Sequence, residues 1–413
     1  MDLRDAMNQI ELREFDKNVP YNKVMEFIKE EGLQSIPFLV NVDGKRFAGN
    51  FVAKREYLCN FLGVCKEDLA KYLSKVSYNG EIRINEENPL SKTNWTLHDL
   101  PIPKYYPRDG GRYITAGVVI ACRDEDDPST YNACIHRLMA VDDKRMAVRL
   151  VPPRHTYLLW RDAIERGEDL NILISIGCHP LFLFSASTRV PEGKEFGYSA
   201  ELMKGLDLYR IDGMLTPMAE IVISAKITDK KVEEGPFVDI TSTYDKIRME
   251  PVVEIKRIYA REDAIFYSII PGGYEHQILM GVPYEPVIYR SVSGVCRVRN
   301  VVLTPGSKHY FHAIVQIEKN TEGDGKNAIL ATLSAHPSLK GVIVVDEDID
   351  IYNYEDIEFA IATRFQADKD FITIKGARGS SLDPSANEDS TTTKWGMDAT
   401  KYLQRKDEFE KVI

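Results

Sequence analysis

The residues best suited to chemistry lie beside apolar, strand-like runs in the middle of the chain. Asn132 and Arg137 share YNACIHRLMAV, His155 follows a strand end in VPPRHTY, Glu195 stands in GKEFGY, and Glu234 and Asp239 frame EGPFVD. Asparagine, histidine and glutamate offer two oxygens and one nitrogen. That donor set suits Mn²⁺ or Mg²⁺, with positions left for water or phosphate oxygen, better than structural zinc. Arg137 can fork onto a carboxylate through two charge-assisted hydrogen bonds. Gly235 and Pro236 predict a tight turn that brings Glu234 and Asp239 toward one pocket. A carboxyl group held in an apolar site has a raised pKa and can donate a proton near neutrality.

Plainer roles compete with each of these. His155 also reads as a loop or core histidine, Arg137 as half of a salt bridge, and EGPFVD as a turn with solvated acids. Asn132 and Arg137 are five residues apart. Odd spacing puts them on opposite faces of a regular strand unless a bulge or bend intervenes. Spacing and composition leave both sets of roles open. No GxxxxGK[ST] loop, GxGxxG after a strand, GxSxG elbow or HExxH occurs, so a Ser or Cys nucleophile has little support.

The elements around these residues fall into three stretches. Residues 1–94 read as an α/β domain, with a helix over 21–32, a strand over 36–42, and helices near 54–62 and 66–75. The polar, proline-interrupted stretch 86–95 looks like a boundary. From 95 to 302 short β-rich runs alternate with Gly, Pro and Asp turns, which points to a barrel or mainly antiparallel sheet, with helical inserts at 155–167 and 194–204. Residues 303–413 return to α/β, with a mainly parallel sheet under helices, and the stretch from Lys394 onward reads as a closing charged helix.

With 413 residues, 44% hydrophobic and 28% charged, the chain is of ordinary globular composition. A net charge of −10 argues against a nucleic-acid binder. No apolar run is long enough for a membrane helix, and the charged start lacks a signal-peptide core. Six scattered cysteines without a CxxC pair fit a reduced, cytoplasmic protein.

Taken together, the segments resemble the UbiD family of decarboxylases, which use prenylated FMN. The likeness runs through DGKRFAGNFVAKREYLCNFLGV, PRDGGRYITAGVVI, YNACIHR, GCHP, AEIV, EGPFVD, HPSLKGVIVVDEDIDIYN, IATRFQADKD, GSSLDPS and KWGMDATK, in the family's order. It implies an N-terminal α/β domain, a central split β-barrel holding the flavin, and a C-terminal α/β domain for oligomerisation, as a homodimer or larger assembly. By motif position, Asn132, His155 and Glu195 resemble the ligands of a divalent metal that bridges to the flavin phosphate, with Glu201 as a competitor for the third place. Lys340 resembles a phosphate-contacting lysine, and Leu382 an apolar residue that closes over the substrate. Arg154, beside His155, is a basic residue for the cofactor, and Arg154 and Lys194 can receive a substrate phosphate or stand as solvated surface charges. Ala219–Ile221, Arg364 and Asp398 resemble a second site for a monovalent cation such as K⁺.

Arg137, Glu234 and Asp239 match the family's catalytic Arg-Glu-acid trio. The resemblance implies reversible decarboxylation of an α,β-unsaturated acid, with the electrons left by departing CO₂ held by the flavin ring system. Arg137 then orients the carboxylate, and Glu234 protonates the product carbanion. Asp239 pairs with Arg137 or relays the proton, and the two acids can exchange roles. The C-terminal wording is most similar to compact archaeal-type members, which implies trans-anhydromevalonate 5-phosphate as substrate. A polyprenyl-hydroxybenzoate or other aromatic acid is the alternative, and a non-catalytic flavin-binding scaffold is the reading from another class. A separate flavin prenyltransferase is implied as the cofactor's supplier.

Overall fold

The computed structural model describes residues 1–409. It divides into two compact units, one of residues 1–63 and 76–279, the other of residues 64–75 and 280 onward.

In the first unit the helix Val24–Glu30 buries Val24, Phe27 and Ile28 at the predicted spacing. The strands Phe38–Val42 and Lys45–Gly49 form a hairpin through Asp43 and Gly44, which take the positive φ values of 48° and 77°. An Asp-Gly pair suits that turn, whose twist matches the strands it joins. The sheet continues on one side to Arg13–Val19 and on the other to Ile265–Ser268, both in parallel pairing.

The same unit holds a nine-stranded sheet that curls toward closure. Its main path runs Tyr113–Ile114, Leu138–Ala140, Arg145–Val148, Arg248–Ala260, Ile221–Glu234, Leu170–Ile176, Val118–Cys122, Tyr131–Ile135. Tyr113–Ile114 and Val118–Cys122 are joined by only residues 115–117, and Tyr131–Ile135 and Leu138–Ala140 by only 136–137, although each pair spans nearly the whole strand order. Connections so short force the two ends of the sheet together, which is the geometry of a split barrel. The helices His155–Glu165 and Glu195–Met203 lie at the two predicted inserts. A further helix, Pro180–Ser187, follows GCH. The stretch 86–95 carries the short strand Ser91–Lys92, which pairs with Tyr259 and Ala260.

The second unit has a five-stranded sheet in the order Arg297–Leu303, His312–Glu318, Gly341–Asp346, Thr391–Ala399, Phe371–Arg378. Its central pairings are parallel and both edge pairings antiparallel. Helices Asp324–Ala335 and Tyr354–Arg364 pack on it over two apolar clusters, one around Ile329, Val315 and Val344, the other around Ile357, Val345 and Ile314. The expected closing helix is corrected here. Thr392, Lys394, Gly396 and Asp398 are buried in alternation, so residues 391–399 form a strand of that sheet. Leu403–Phe409 is a short 3₁₀ turn, and the last four residues of the expected helix lie outside the described range. No helix among the described residues is long and apolar enough to cross a membrane.

Candidate active site

Arg137 sits in the two-residue crossover between Tyr131–Ile135 and Leu138–Ala140. This break removes the strand-parity conflict with Asn132, because the two residues belong to different ends of the sheet. Glu234 is the last residue of the strand Ile221–Glu234, in register with Arg248. Arg137 donates from Nε to Glu234 Oε1 at 3.0 Å and from Nη2 to Oε2 at 2.9 Å. Nη1 reaches Asp239 Oδ2 at 3.4 Å, and Nη2 also donates to Asp245 Oδ2 at 2.9 Å. The guanidinium lies over the Phe237 ring, 4.9 Å from its centroid. The Tyr113 hydroxyl donates to Glu234 Oε1 at 3.1 Å. The structure therefore brings Arg137, Glu234 and Asp239 together.

Neighbouring backbone holds the EGPFVD turn in place. Gly110 N–H donates to Pro236 O at 2.8 Å. A Cβ on Gly110 would stand 2.0 Å from Gly235 O, so only glycine allows that approach. Asp109, just before it, is buried with one carboxylate oxygen unpartnered, and burial pushes its pKa up to about 6.

Sequence reasoning missed Asp245. It lies opposite Phe237 in the small hairpin after the turn, and Arg248 Nη1 donates to its Oδ2 at 2.7 Å. Burial opposes its charge, but the Arg248 hydrogen bond and the Arg137 charge outweigh it and hold the carboxyl at about 2. Burial likewise opposes the Arg137 charge, and the Glu234 carboxylate overcomes it, so the guanidinium is bound more firmly as a cation. Burial and then the Glu234 charge raise the Tyr113 phenol. His276 is lowered by burial, with Asp239 pulling the other way and Arg137 adding to the fall. Its Nδ1 accepts from Gly272 N–H at 3.1 Å, so a neutral ring carries its proton on Nε2.

A second polar group forms where two helices begin. His155 and Glu195 are each the first residue of their helix. His155 Nδ1 lies 3.2 Å from Glu195 Oε1, while Glu195 Oε2 is buried without a partner. Burial raises the Glu195 carboxyl, and its own backbone N–H and His155 pull it down. Gly193 lets this loop close, since a Cβ there would stand 1.8 Å from Ser129 O. Asn132 Nδ2 donates to Thr156 Oγ1 at 2.9 Å, next to His155 in sequence. Glu201 points elsewhere and accepts from the Ser77 hydroxyl. An unpartnered buried carboxylate oxygen, an imidazole and an amide oxygen make a donor set that fits a hard divalent cation.

The remaining predicted residues stand as follows. Arg154 and Lys194 are exposed at the N-caps of these two helices and make no side-chain cap bond. In the second unit Lys340 donates to Asp383 Oδ2 at 2.9 Å and to Ser385, and Leu382 is half-buried in the same loop. Arg364 is buried against Asp346 and Asp348, and Asp398 accepts from Thr400. In the first unit Glu220 is bound by Arg4 and Arg261. Lys340, Arg364, Asp398 and Glu220 are thus paired within their own units.

Residues 77–274 match the UbiD model described as the 3-octaprenyl-4-hydroxybenzoate carboxy-lyase Rift-related domain, and 277–399 match the corresponding C-terminal domain. The chain belongs to the UbiD family. Among family relatives, the anhydromevalonate phosphate decarboxylase of Archaeoglobus fulgidus is 56% identical, over 100% of this chain and 96% of its own. The UbiD-class enzyme HmfF from Pelotomaculum thermopropionicum, solved with FMN, superposes with a TM-score of 0.94 at 30% identity, covering 100% of this chain and 97% of that one. An evolved dimeric form of HmfF, solved with prFMN, gives 0.89 at 28% identity, covering 100% and 96%. UbiD membership makes this chain a carboxy-lyase with a flavin cofactor, on the fold its barrel and α/β sheets display.

Proposed function

We propose that this protein reversibly decarboxylates trans-anhydromevalonate 5-phosphate using prenylated FMN, made by a separate flavin prenyltransferase. The observation that carries the reading is the buried Arg137–Glu234–Asp239 cluster in a chain 56% identical to a relative named for that activity. The curled nine-stranded sheet of the first unit holds the flavin, and the second unit serves oligomerisation. The protein works in the cytoplasm as a homo-oligomer.

Asn132, His155 and Glu195 would hold Mn²⁺ or Mg²⁺, with Arg154 beside them for the flavin and K⁺ as a second cation. The bound cofactor supplies an electron sink for the pair left when CO₂ departs. In the reaction the bond between the substrate carbon and its carboxyl group breaks, CO₂ leaves, and one proton takes its place. Arg137 presents its N–H donors to the incoming carboxylate. Nε and Nη2 of that guanidinium hold Glu234, which lies in a fully buried setting, and Nη1 reaches Asp239. Glu234, held against Arg137 and the Tyr113 hydroxyl, is the residue that delivers the proton to the product carbon. Asp239, less buried, returns the proton from solvent. Phe237 and Tyr113 exclude water around the pair.

Turnover assays on protein co-expressed with a flavin prenyltransferase test the reading. Decarboxylation of trans-anhydromevalonate 5-phosphate is expected. Product from a polyprenyl-hydroxybenzoate alone would overturn the substrate assignment.

A further inference from the structure

Three buried side chains form an unbroken hydrogen-bond chain behind the candidate metal ligands. His136 Nδ1 lies 2.9 Å from the Arg149 carbonyl oxygen. A carbonyl only accepts, so Nδ1 carries a hydrogen, and Nε2 of the neutral ring is left as an acceptor. Nε2 lies 3.0 Å from Thr156 Oγ1, which therefore donates its single proton to the ring. With that proton used, Thr156 Oγ1 can only accept from Asn132, 2.9 Å away. The group facing it must then be the amide nitrogen. Asn132 Oδ1 is the other end of that amide and takes no part in this chain of bonds. All three residues are buried, at 4%, 8% and 1% exposure for Asn132, His136 and Thr156, so a lost partner is costly to replace.

We propose that Thr156 and His136 are positioning residues that orient the Asn132 amide so that its oxygen, not its nitrogen, faces the divalent metal. The proposal rests on the reading of Asn132 and His155 as metal ligands. A flipped amide would place an NH₂ group toward the cation and an oxygen against a hydroxyl with no proton to give. Both changes oppose binding. Thr156 follows His155 in the first turn of one helix, so a single turn carries one ligand and sets the direction of another. The β-branched threonine is stiff at χ1, which keeps its hydroxyl aimed.

Mn²⁺ titration of the purified full chain with FMN supplied, read by the electron paramagnetic resonance signal of free Mn²⁺, tests this. Thr156→Val should weaken Mn²⁺ binding about 10- to 100-fold, the usual loss when a ligand's supporting hydrogen bond is removed. Thr156→Ser should restore it. His136→Phe frees the hydroxyl proton to turn toward Asn132 and should weaken binding as well. In an Asn132→Asp background both oxygens are equivalent, so adding Thr156→Val should cost little. Wild-type affinity in Thr156→Val, or an equal loss in the Asn132→Asp background, overturns the proposal while leaving the ligand reading intact. Normal Mn²⁺ binding by His155→Ala, or none by the wild type, removes the ligand reading and the proposal with it.

Discussion

Arg137 grips both oxygens of Glu234, at 3.0 and 2.9 Å, on a carboxylate with no exposed surface. Removing one partner of such a pair costs about 3–5 kcal/mol, because the other remains as an uncompensated buried charge. Arg137→Ala is therefore expected to lower unfolding free energy by about that amount as well as to stop turnover. Arg137→Lys keeps the charge but loses the fork, and should retain more stability than activity. Denaturant titration of both variants checks this. An Arg137→Ala protein as stable as wild type would show that the charge is not confined as described.

Glu234→Gln keeps the shape of the site and removes its titratable proton. Bound flavin should be unchanged, while deuterium exchange at the product's α-carbon should fall by about 10²–10⁴, the range of a lost general acid. Exchange at the wild-type rate would take Glu234 out of that role and leave Asp239 as the donor.

The helix Glu195–Met203 offers two acids, and the structure separates them. Glu195 meets His155, whereas Glu201 meets Ser77. Glu195→Gln should lower metal content, and with it flavin content, by about 10-fold or more in the purified protein. Glu201→Gln should leave both at wild-type levels. Metal analysis of the two variants decides, and the reverse pattern would make Glu201 the ligand.

Glu275 sets a pH dependence away from this site. It is fully buried, accepts from Tyr267 and from the backbone N–H groups of Asn50 and Val52, and burial pushes its pKa up to about 7. Between the unfolded value of about 4.5 and that folded value, the native state binds the extra proton. Stability from this group is thus greatest below pH 4.5 and declines as pH rises to 7, by about 3 kcal/mol. In Glu275→Gln that decline should vanish from plots of unfolding free energy against pH. A wild-type slope in the variant would place the proton uptake on another residue.

Much of the site was legible because its residues sit beside strands and turns with strong local signals. Gly235 and Pro236 announce the turn that carries Glu234 and Asp239, and the two helix starts place His155 and Glu195. What failed were features that depend on distant partners. Asp245 lies in a polar stretch with no motif of its own, and only the hairpin pairing with Phe237 brings it to Arg137. The Asn132–Arg137 conflict arose from reading one strand where the barrel's closure makes two. The helix Pro180–Ser187 is apolar all round, so periodicity could not separate it from a strand. Residues 394–399 carry lysine and aspartate into a sheet interior, against the usual exposure of charge, and so looked like a surface helix.

The pairing of Ile265–Ser268 with Lys45–Gly49 has a consequence for how the chain is made. The N-terminal sheet emerges from the ribosome early but keeps a raw edge until a strand more than two hundred residues later arrives. At about 5–20 residues per second, that is a wait of roughly ten to forty seconds. An open edge is a template for the wrong partner. Nascent chains should therefore depend on chaperones through that interval, and a fragment cut after residue 94 should aggregate rather than fold.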